Sequence, residues 1–241
     1  MKRVKAVIEY DGSKFLGYQS QPHKNTVSDK IIETLEILKI SSKINGSGRT
    51  DVGVHATYQV CDFLLPTYWH DLKKFSYFFN KTVPSSIRLK KIEFVDDSFH
   101  ARFSAKKRAY RYILTTKYSS PFLADYVTFV KSIDEERVKN SIKLFKGVFD
   151  FKLFKKNGSD EKSTIREIYR TNFYKHGDFY VLYFEANGFL RSQVRMMVGF
   201  LLQISDKKLD ENQLLEQLNG KKKHSHTLVP ANGLYLSKVW Y

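Results

Sequence analysis

The chain has 241 residues, 42% of them hydrophobic, which is enough for one large domain or two of ordinary size. Lys and Arg exceed Asp and Glu by 16, and this excess of positive charge favours a polyanionic partner, most often nucleic acid. A single cysteine excludes an internal disulfide and a thiolate zinc site, and the lack of a signal sequence or a long apolar run predicts a soluble cytoplasmic protein with no membrane partner.

The first half of the chain predicts the element order β-α-β-β-α-β. Val4, Ala6 and Ile8 alternate with charged residues, as in a strand with one buried face. A capping pattern that joins Thr26 to Asp29 then begins a helix. The segments that follow are a short strand over 40–45, a strand over 57–65, a helix that ends near Pro84 and a strand over 87–95. This order is that of a ferredoxin-like unit.

A glycine-rich segment, Gly46–Ala56, lies between the second and third of these strands. It holds three glycines in eight residues, together with the cation Arg49 and the carboxylate of Asp51. Such a loop either forms a site that a ligand can approach closely or is an ordinary turn in which Asp51 caps its own backbone. Cys61, in the apolar strand that follows, is interpreted as a small buried hydrophobic residue.

The second half predicts the same order of elements. A strand over 107–115 places Arg108, Tyr110 and Tyr112 on one face, which suits either a stacked base or core packing. The later segments are a helix capped by Ser132-x-x-Glu135, a hairpin over 164–175 and 179–187, a long helix from Leu190, a short helix over 210–218 and a strand over 234–239. We therefore predict an α+β protein of two ferredoxin-like units, 1–104 and 105–241, with mainly antiparallel sheets joined around a central basic cleft.

The long helix of the second half carries an arginine in apolar surroundings. Arg191 and Arg195 are four residues apart and share a face, and Arg195 is flanked by Val194 and Met196. A partly desolvated guanidinium needs an anionic partner, so this arginine is a candidate site residue.

Several of these segments resemble the TruA family of tRNA pseudouridine synthases. The most specific is Gly48-Arg49-Thr50-Asp51-Val52-Gly53-Val54-His55-Ala56, which is similar to the signature of that family. Weaker resemblances extend through the chain, at residues 10–21, 99–112, 149–154, 189–199 and 230–236. The chain departs from the family pattern at Tyr18, Phe149 and Asn232, where the family usually has Trp, His and His.

The resemblance implies an enzyme that isomerises uridine to pseudouridine in the anticodon stem-loop of tRNA. It implies that Asp51 is the nucleophile of a covalent intermediate on a flipped-out base, that Tyr110 stacks on the target uracil, and that Arg195 pairs with Asp51. The further substrate-binding residues that it implies are Gly48, Arg49, Thr50 and His55. It also implies a homodimer that needs no cofactor and no metal. It leaves open whether Asp51 attacks ribose C1′ or uracil C6.

Two other functions fit parts of the sequence. A glycosidase would need a second carboxylate, and the glycine-rich segment offers only Asp51. A non-catalytic RNA-binding module would explain the basic and aromatic composition but gives no reason for an aspartate in the loop, and the sequence lacks the strings typical of RNA-recognition motifs.

Overall fold

The computed structural model describes residues 1–117, 120–158 and 162–241. The strands are β1 (Lys2–Tyr10), β2 (Asn45–Gly46), β3 (His55–Leu65), β4 (Ile87–Phe94), β5 (Lys107–Thr115), β6 (Thr128–Phe129), β7 (Gly147–Asp150), β8 (Ile165–His176), β9 (Phe179–Ala186) and β10 (Leu234–Trp240). The helices are α1 (Val27–Ile37), α2 (Leu72–Thr82), α3 (Glu135–Ser141), α4 (Gln193–Ser205) and α5 (Glu211–Leu218). Within the described ranges, no helix is long and apolar enough to cross a membrane.

The first compact unit is discontinuous in sequence, because it contains Met1–Lys106 and Tyr235–Tyr241. Its strands run in the order β4-β1-β3, with β2 also paired to β3, and all of these pairs are antiparallel. Strand β10 adds a short parallel pairing to β3, which aligns Tyr235 with His55. The sequence prediction placed residues 235–241 in the second unit, whereas the structure groups them with the first, where β10 meets β3.

The second unit comprises Lys107–Leu234. Its strands run β5-β9-β8-β7 in antiparallel pairs, and β6 lies parallel to β5. Phe145, Phe154 and Phe200 are fully buried and pack with ring centroids 5.5–6.0 Å apart. The prediction of an α+β protein with mainly antiparallel strands is confirmed.

A buried carboxylate ties three segments of the first unit to β3. Asp62 is fully buried, and its Oδ2 lies 2.5 Å from Arg3 Nη1 and accepts from Asn45 Nδ2 at 3.0 Å. Its Oδ1 accepts from the backbone N–H of Ala101 at 2.7 Å. A buried charge requires such partners, and here they hold β2 in place directly before the glycine-rich segment. The neighbouring Cys61 is also fully buried, and burial raises its pKa to about 12, as expected of a small core residue.

Several elements differ from the sequence prediction, and one predicted cap agrees with it. The capping pattern at Thr26 and Asp29 is confirmed, with both reciprocal bonds present. The predicted cap at Ser132 is wrong, because Asp134 accepts from Arg137 N and α3 begins at Glu135. The strand expected over 40–45 shrinks to β2, and β7 was not predicted. The helix expected from Leu190 begins at Gln193, because Ser192 has a left-handed φ of 60° that interrupts helical geometry.

Candidate active site

The glycine-rich segment forms a tight turn that presents Asp51. Val54 N donates to Asp51 O at 3.2 Å, and Gly53 between them has φ +77°, a conformation that glycine adopts without steric cost. This geometry is that of a β-turn with glycine at its third position. Asp51 is half-buried in this turn and Arg49 is exposed.

Residues of β1, of the loop after β1 and of β3 form hydrogen bonds that support the turn. The Tyr10 hydroxyl lies 2.9 Å from Thr50 Oγ1, and Tyr18 N donates to Thr50 O at 3.1 Å. Gln59 is fully buried; its Nε2 donates to Gly48 O at 2.9 Å. The backbone on both sides of Arg49 is therefore held by buried hydrogen bonds, which limits how far Asp51 can move.

His55 joins the end of the turn to the loop after β1. Its ring is only 2% exposed, and Nδ1 accepts from Gly12 N at 3.0 Å. The ring also stacks on Tyr235 of β10, with centroids 4.7 Å apart. His55 therefore supports the turn in the structure, and its direct contact with substrate remains a prediction.

A methyl group at Gly12 would disrupt this packing. A Cβ at that position would lie 2.0 Å from Val54 O, so the backbone of the turn would have to shift. We expect Gly12→Ala to lower the free energy of unfolding by about 1–3 kcal/mol, measured by urea unfolding. Gly188→Ala is the matched control, because its Cβ would meet only the Arg166 side chain at 3.7 Å. Equal stability of the two variants would contradict this account.

Tyr18 is a buried residue of the loop that follows β1. Its ring packs against the backbone of Gly46, and its buried hydroxyl has no hydrogen-bond partner among the described residues. Burial raises the pKa of this phenol well above its usual value. Tyr18 therefore carries the cost of a buried polar atom without the benefit of a bond.

Tyr18→Phe removes that atom and keeps the ring. We expect it to raise the free energy of unfolding by about 1 kcal/mol in urea titration. Tyr112→Phe is the opposing control, because the Tyr112 hydroxyl donates to Pro230 O at 2.7 Å and lies 2.8 Å from Thr128 Oγ1. That variant should lose stability, and a loss in Tyr18→Phe as well would show that the Tyr18 hydroxyl has a partner.

Tyr110 lies in the middle of β5 in the second unit. It is paired in register with Phe184 and is 9% exposed, with its ring edge-on to Phe189 at a centroid distance of 5.2 Å. Tyr112, two residues later in β5, is fully buried, and its hydroxyl is hydrogen-bonded within the second unit. Tyr112 is therefore a packing residue. Tyr110 is therefore slightly more exposed than Tyr112, and its contact with substrate stays a prediction.

Arg195 is held at its inner nitrogen. Its Nε donates to Val229 O at 2.8 Å, and the side chain is half-buried on the first half of α4. Helix α4 approaches the segment before Val229 closely, since a Cβ at Gly199 would lie 2.4 Å from Thr227 O. This hydrogen bond to the Val229 carbonyl restricts the orientation of the guanidinium plane.

The described residues thus divide the predicted site into two groups. Gly48, Arg49, Thr50, Asp51 and His55 lie on one turn of the first unit, and Tyr110 and Arg195 lie on β5 and α4 of the second. Sequence reasoning missed the supports at Tyr10 and Gln59. No group of three His, Cys, Asp or Glu side chains in the described part of the chain is arranged to hold a metal ion.

Comparison with known proteins identifies the class. The family model of tRNA pseudouridine synthases matches residues 6–104 and 141–241. The chain therefore belongs to the tRNA pseudouridine synthase family, whose members are isomerases.

Named relatives match over nearly their whole length. The chain is 42% identical to tRNA pseudouridine synthase A of Campylobacter jejuni strain 81-176, over 100% of both chains. It is 41% identical to that of Wolinella succinogenes, covering 99% of this chain and 94% of the relative, and 40% identical to that of Helicobacter pylori, over 100% of both. A solved Cbf5-Nop10-Gar1 complex aligns with 11% identity and a TM-score of 0.38, covering 81% of this chain and 43% of that one.

Proposed function

We propose that this chain isomerises uridine to pseudouridine in the anticodon stem-loop of tRNA, through a covalent intermediate at Asp51. The observation that supports it most is the turn itself, which holds a half-buried carboxylate beside an exposed arginine on a rigidly supported backbone. Full-length similarity to tRNA pseudouridine synthase A supports tRNA as the substrate.

The reaction breaks the bond between ribose C1′ and uracil N1 and forms one between C1′ and C5. The proton leaves C5 for solvent and N1 gains one, so atoms and electrons balance without a cofactor. A carboxylate nucleophile divides this exchange into two easier steps by holding one fragment while the base rotates. Asp51 performs that attack, at ribose C1′ or at uracil C6.

Two residues of the second unit assist Asp51 in this proposal. Arg195, with its Nε held by Val229 O, offers its outer nitrogens to balance the charge of Asp51. Tyr110, whose ring packs against Phe189, stacks on the target uracil and holds it once it is detached. Arg49, Gly48, Thr50 and His55 shape the turn that receives the flipped nucleotide, which costs a few kcal/mol to extrude.

The tRNA is bound in a central basic cleft, by an enzyme that acts as a homodimer in the cytoplasm. The +16 charge of the chain supports an anionic substrate of this size. The arrangement as two ferredoxin-like units stays part of this proposal.

Tritium release tests the function directly. Wild-type protein incubated with tRNA transcripts that carry tritium at uracil C5 should release tritium to water, because the C5 proton is lost. Transcripts in which all uridines of the anticodon stem-loop are replaced by cytidine should release none. Tritium release from neither transcript would rule out the enzyme activity, and equal release from both would rule out the anticodon stem-loop as the site.

Salt dependence tests the electrostatic part of binding. We expect the logarithm of the tRNA association constant to fall with the logarithm of salt concentration with a slope of several units, because each neutralised phosphate releases counterions. Filter binding between about 50 and 200 mM salt measures this slope. A flat dependence would show that the positive surface does not bind the RNA backbone.

A further inference from the structure

The outer face of α2 combines aromatic rings with lysine side chains. Phe75 and Phe79 bury the inner face of the helix, so Tyr77 and Phe78 are not needed for the core. Tyr77 is 59% exposed and Phe78 37% exposed, and their rings meet edge to face at 5.3 Å. Large exposed aromatic side chains in contact with each other indicate a binding surface more often than an isolated exposed ring does.

Cations surround these two rings. Lys73, Tyr77 and Lys81 are spaced four residues apart and form one row along the helix, and Lys74 begins the next row with Phe78. Lys81 Nζ lies 5.4 Å from the centre of the Tyr77 ring.

Arg88 extends this surface from the adjacent edge strand. Arg88 on β4 lines a shallow pocket of about 380 Å³ together with Tyr77, Lys81, Ser76 and Asn80. Within the described residues, neither Lys81 nor Arg88 has an ion-pair partner. Glu9 lies opposite Arg88 in the sheet register, but its carboxylate pairs with Lys90 at 2.9 Å.

The pocket lies between α2 and β4, at one end of the sheet. The Asn80 side chain bonds both backbone groups of Leu89, which fixes α2 against β4. Tyr10 pairs with Ile87 at the start of β4 and with Ala56 at the start of β3, so Arg88 lies at the same end of the sheet as the turn that carries Asp51. Strands β4 and β3 are separated by two strand spacings, about 10 Å.

We propose that this surface, which we call the α2 patch (Lys73, Lys74, Tyr77, Phe78, Lys81 and Arg88), is a second RNA-binding site. An unpaired base of the tRNA that binds at the Asp51 turn stacks on Tyr77. The phosphates on either side of that base bind Lys81 and Arg88. Aromatic rings bordered by cations bind unpaired nucleotides in this way, because each base can stack its planar face on an aromatic ring and each phosphodiester linkage carries a negative charge. The inference rests on the proposed function, since it requires an RNA substrate at the neighbouring turn.

A second copy of the chain fits this surface less well. If the patch lay on the two-fold axis of a symmetric dimer it would meet itself, and its four cations would face their own equivalents. Like charges placed together across an interface oppose association. The charge of the patch therefore favours a polyanion.

Binding of unmodified tRNA transcript to the full chain tests the inference. Tyr77→Ala should weaken affinity at least about fivefold, the lower end of what one stacked base contributes. Tyr77→Phe should retain wild-type affinity, because the ring remains and the hydroxyl has no partner among the described residues. Arg88→Gln should reduce the salt slope by about one.

Matched controls lie on the second unit. Tyr174→Ala removes another exposed ring and Lys139→Gln another exposed cation, and both should bind as wild type. Unchanged affinity in Tyr77→Ala and Arg88→Gln would overturn the inference, as would a shift of Tyr77→Ala towards a smaller species in sedimentation, which would assign the patch to self-association. Tritium release by the wild-type protein is measured separately, so failure of the patch and failure of the proposed function give different results.

Discussion

Asp51→Asn is expected to reduce the rate of tritium release by roughly four orders of magnitude or more, the scale seen when a nucleophile is removed. The amide keeps the shape of the side chain and can still accept hydrogen bonds, but it cannot form the covalent intermediate. The supports of the turn at Thr50, Gly48 and His55 do not involve this side chain. The unfolding curve and the affinity for tRNA should therefore remain close to those of the wild type.

Asp97→Asn is the matched control for this loss. Asp97 is an exposed aspartate of the same unit, and its backbone carbonyl accepts from Arg3 Nε at 2.9 Å, whereas its side chain forms no hydrogen bond or ion pair with the described residues. Its turnover should equal that of the wild type. A turnover of Asp51→Asn within tenfold of this control would remove Asp51 from the mechanism.

Arg195→Ala is expected to reduce the turnover of bound tRNA by roughly 10²–10³, as when one preorganised electrostatic group is lost. Arg195→Lys should recover little, because one ammonium cannot both donate to Val229 O and present a planar pair of donors. Single-turnover rates at saturating enzyme separate this effect from binding. The tRNA dissociation constant should change much less than the rate.

Arg191→Ala is the comparison variant, because Arg191 lies just before the start of α4, the helix that carries Arg195. Arg191 is exposed, and its Nη1 donates to the carbonyls of Asn157 and Gly158 at 3.1 and 3.2 Å. Its loss should leave the single-turnover rate within a few-fold of wild type. Similar small losses in both variants would indicate that Arg195 has a structural role only.

Local sequence patterns were enough to predict β1, β3 and the glycine-rich segment that precedes β3. The alternation of apolar and charged residues along β1 and the glycines at 46, 48 and 53 reflect constraints between neighbouring residues, which can be read from the sequence alone. The Thr26–Asp29 cap is equally local and is present as predicted. Where two good caps compete two residues apart, as at Ser132 and Asp134, composition alone does not decide between them.

The supports of the turn depend on contacts between residues far apart in the chain. Tyr10 reaches Thr50 across 40 positions and Gly12 reaches His55 across 43, and periodicity carries no information about such pairs. Asp62 is fully buried in β3, and its three partners from separate segments explain that burial. The neighbour of a strand is also not a local property, so periodicity does not reveal that β10 pairs with β3.

The discontinuity of the first unit has a consequence for how the protein is made. Ribosomes synthesise the whole of Lys107–Leu234 between the two parts of this unit, which takes on the order of ten seconds at ordinary elongation rates. During that interval β3 lacks its β10 neighbour, and His55 lacks the Tyr235 ring that later covers it. The nascent first unit therefore presents an open strand edge while the second unit emerges, and it is in this interval that a chaperone or a non-native strand pairing would compete for the chain.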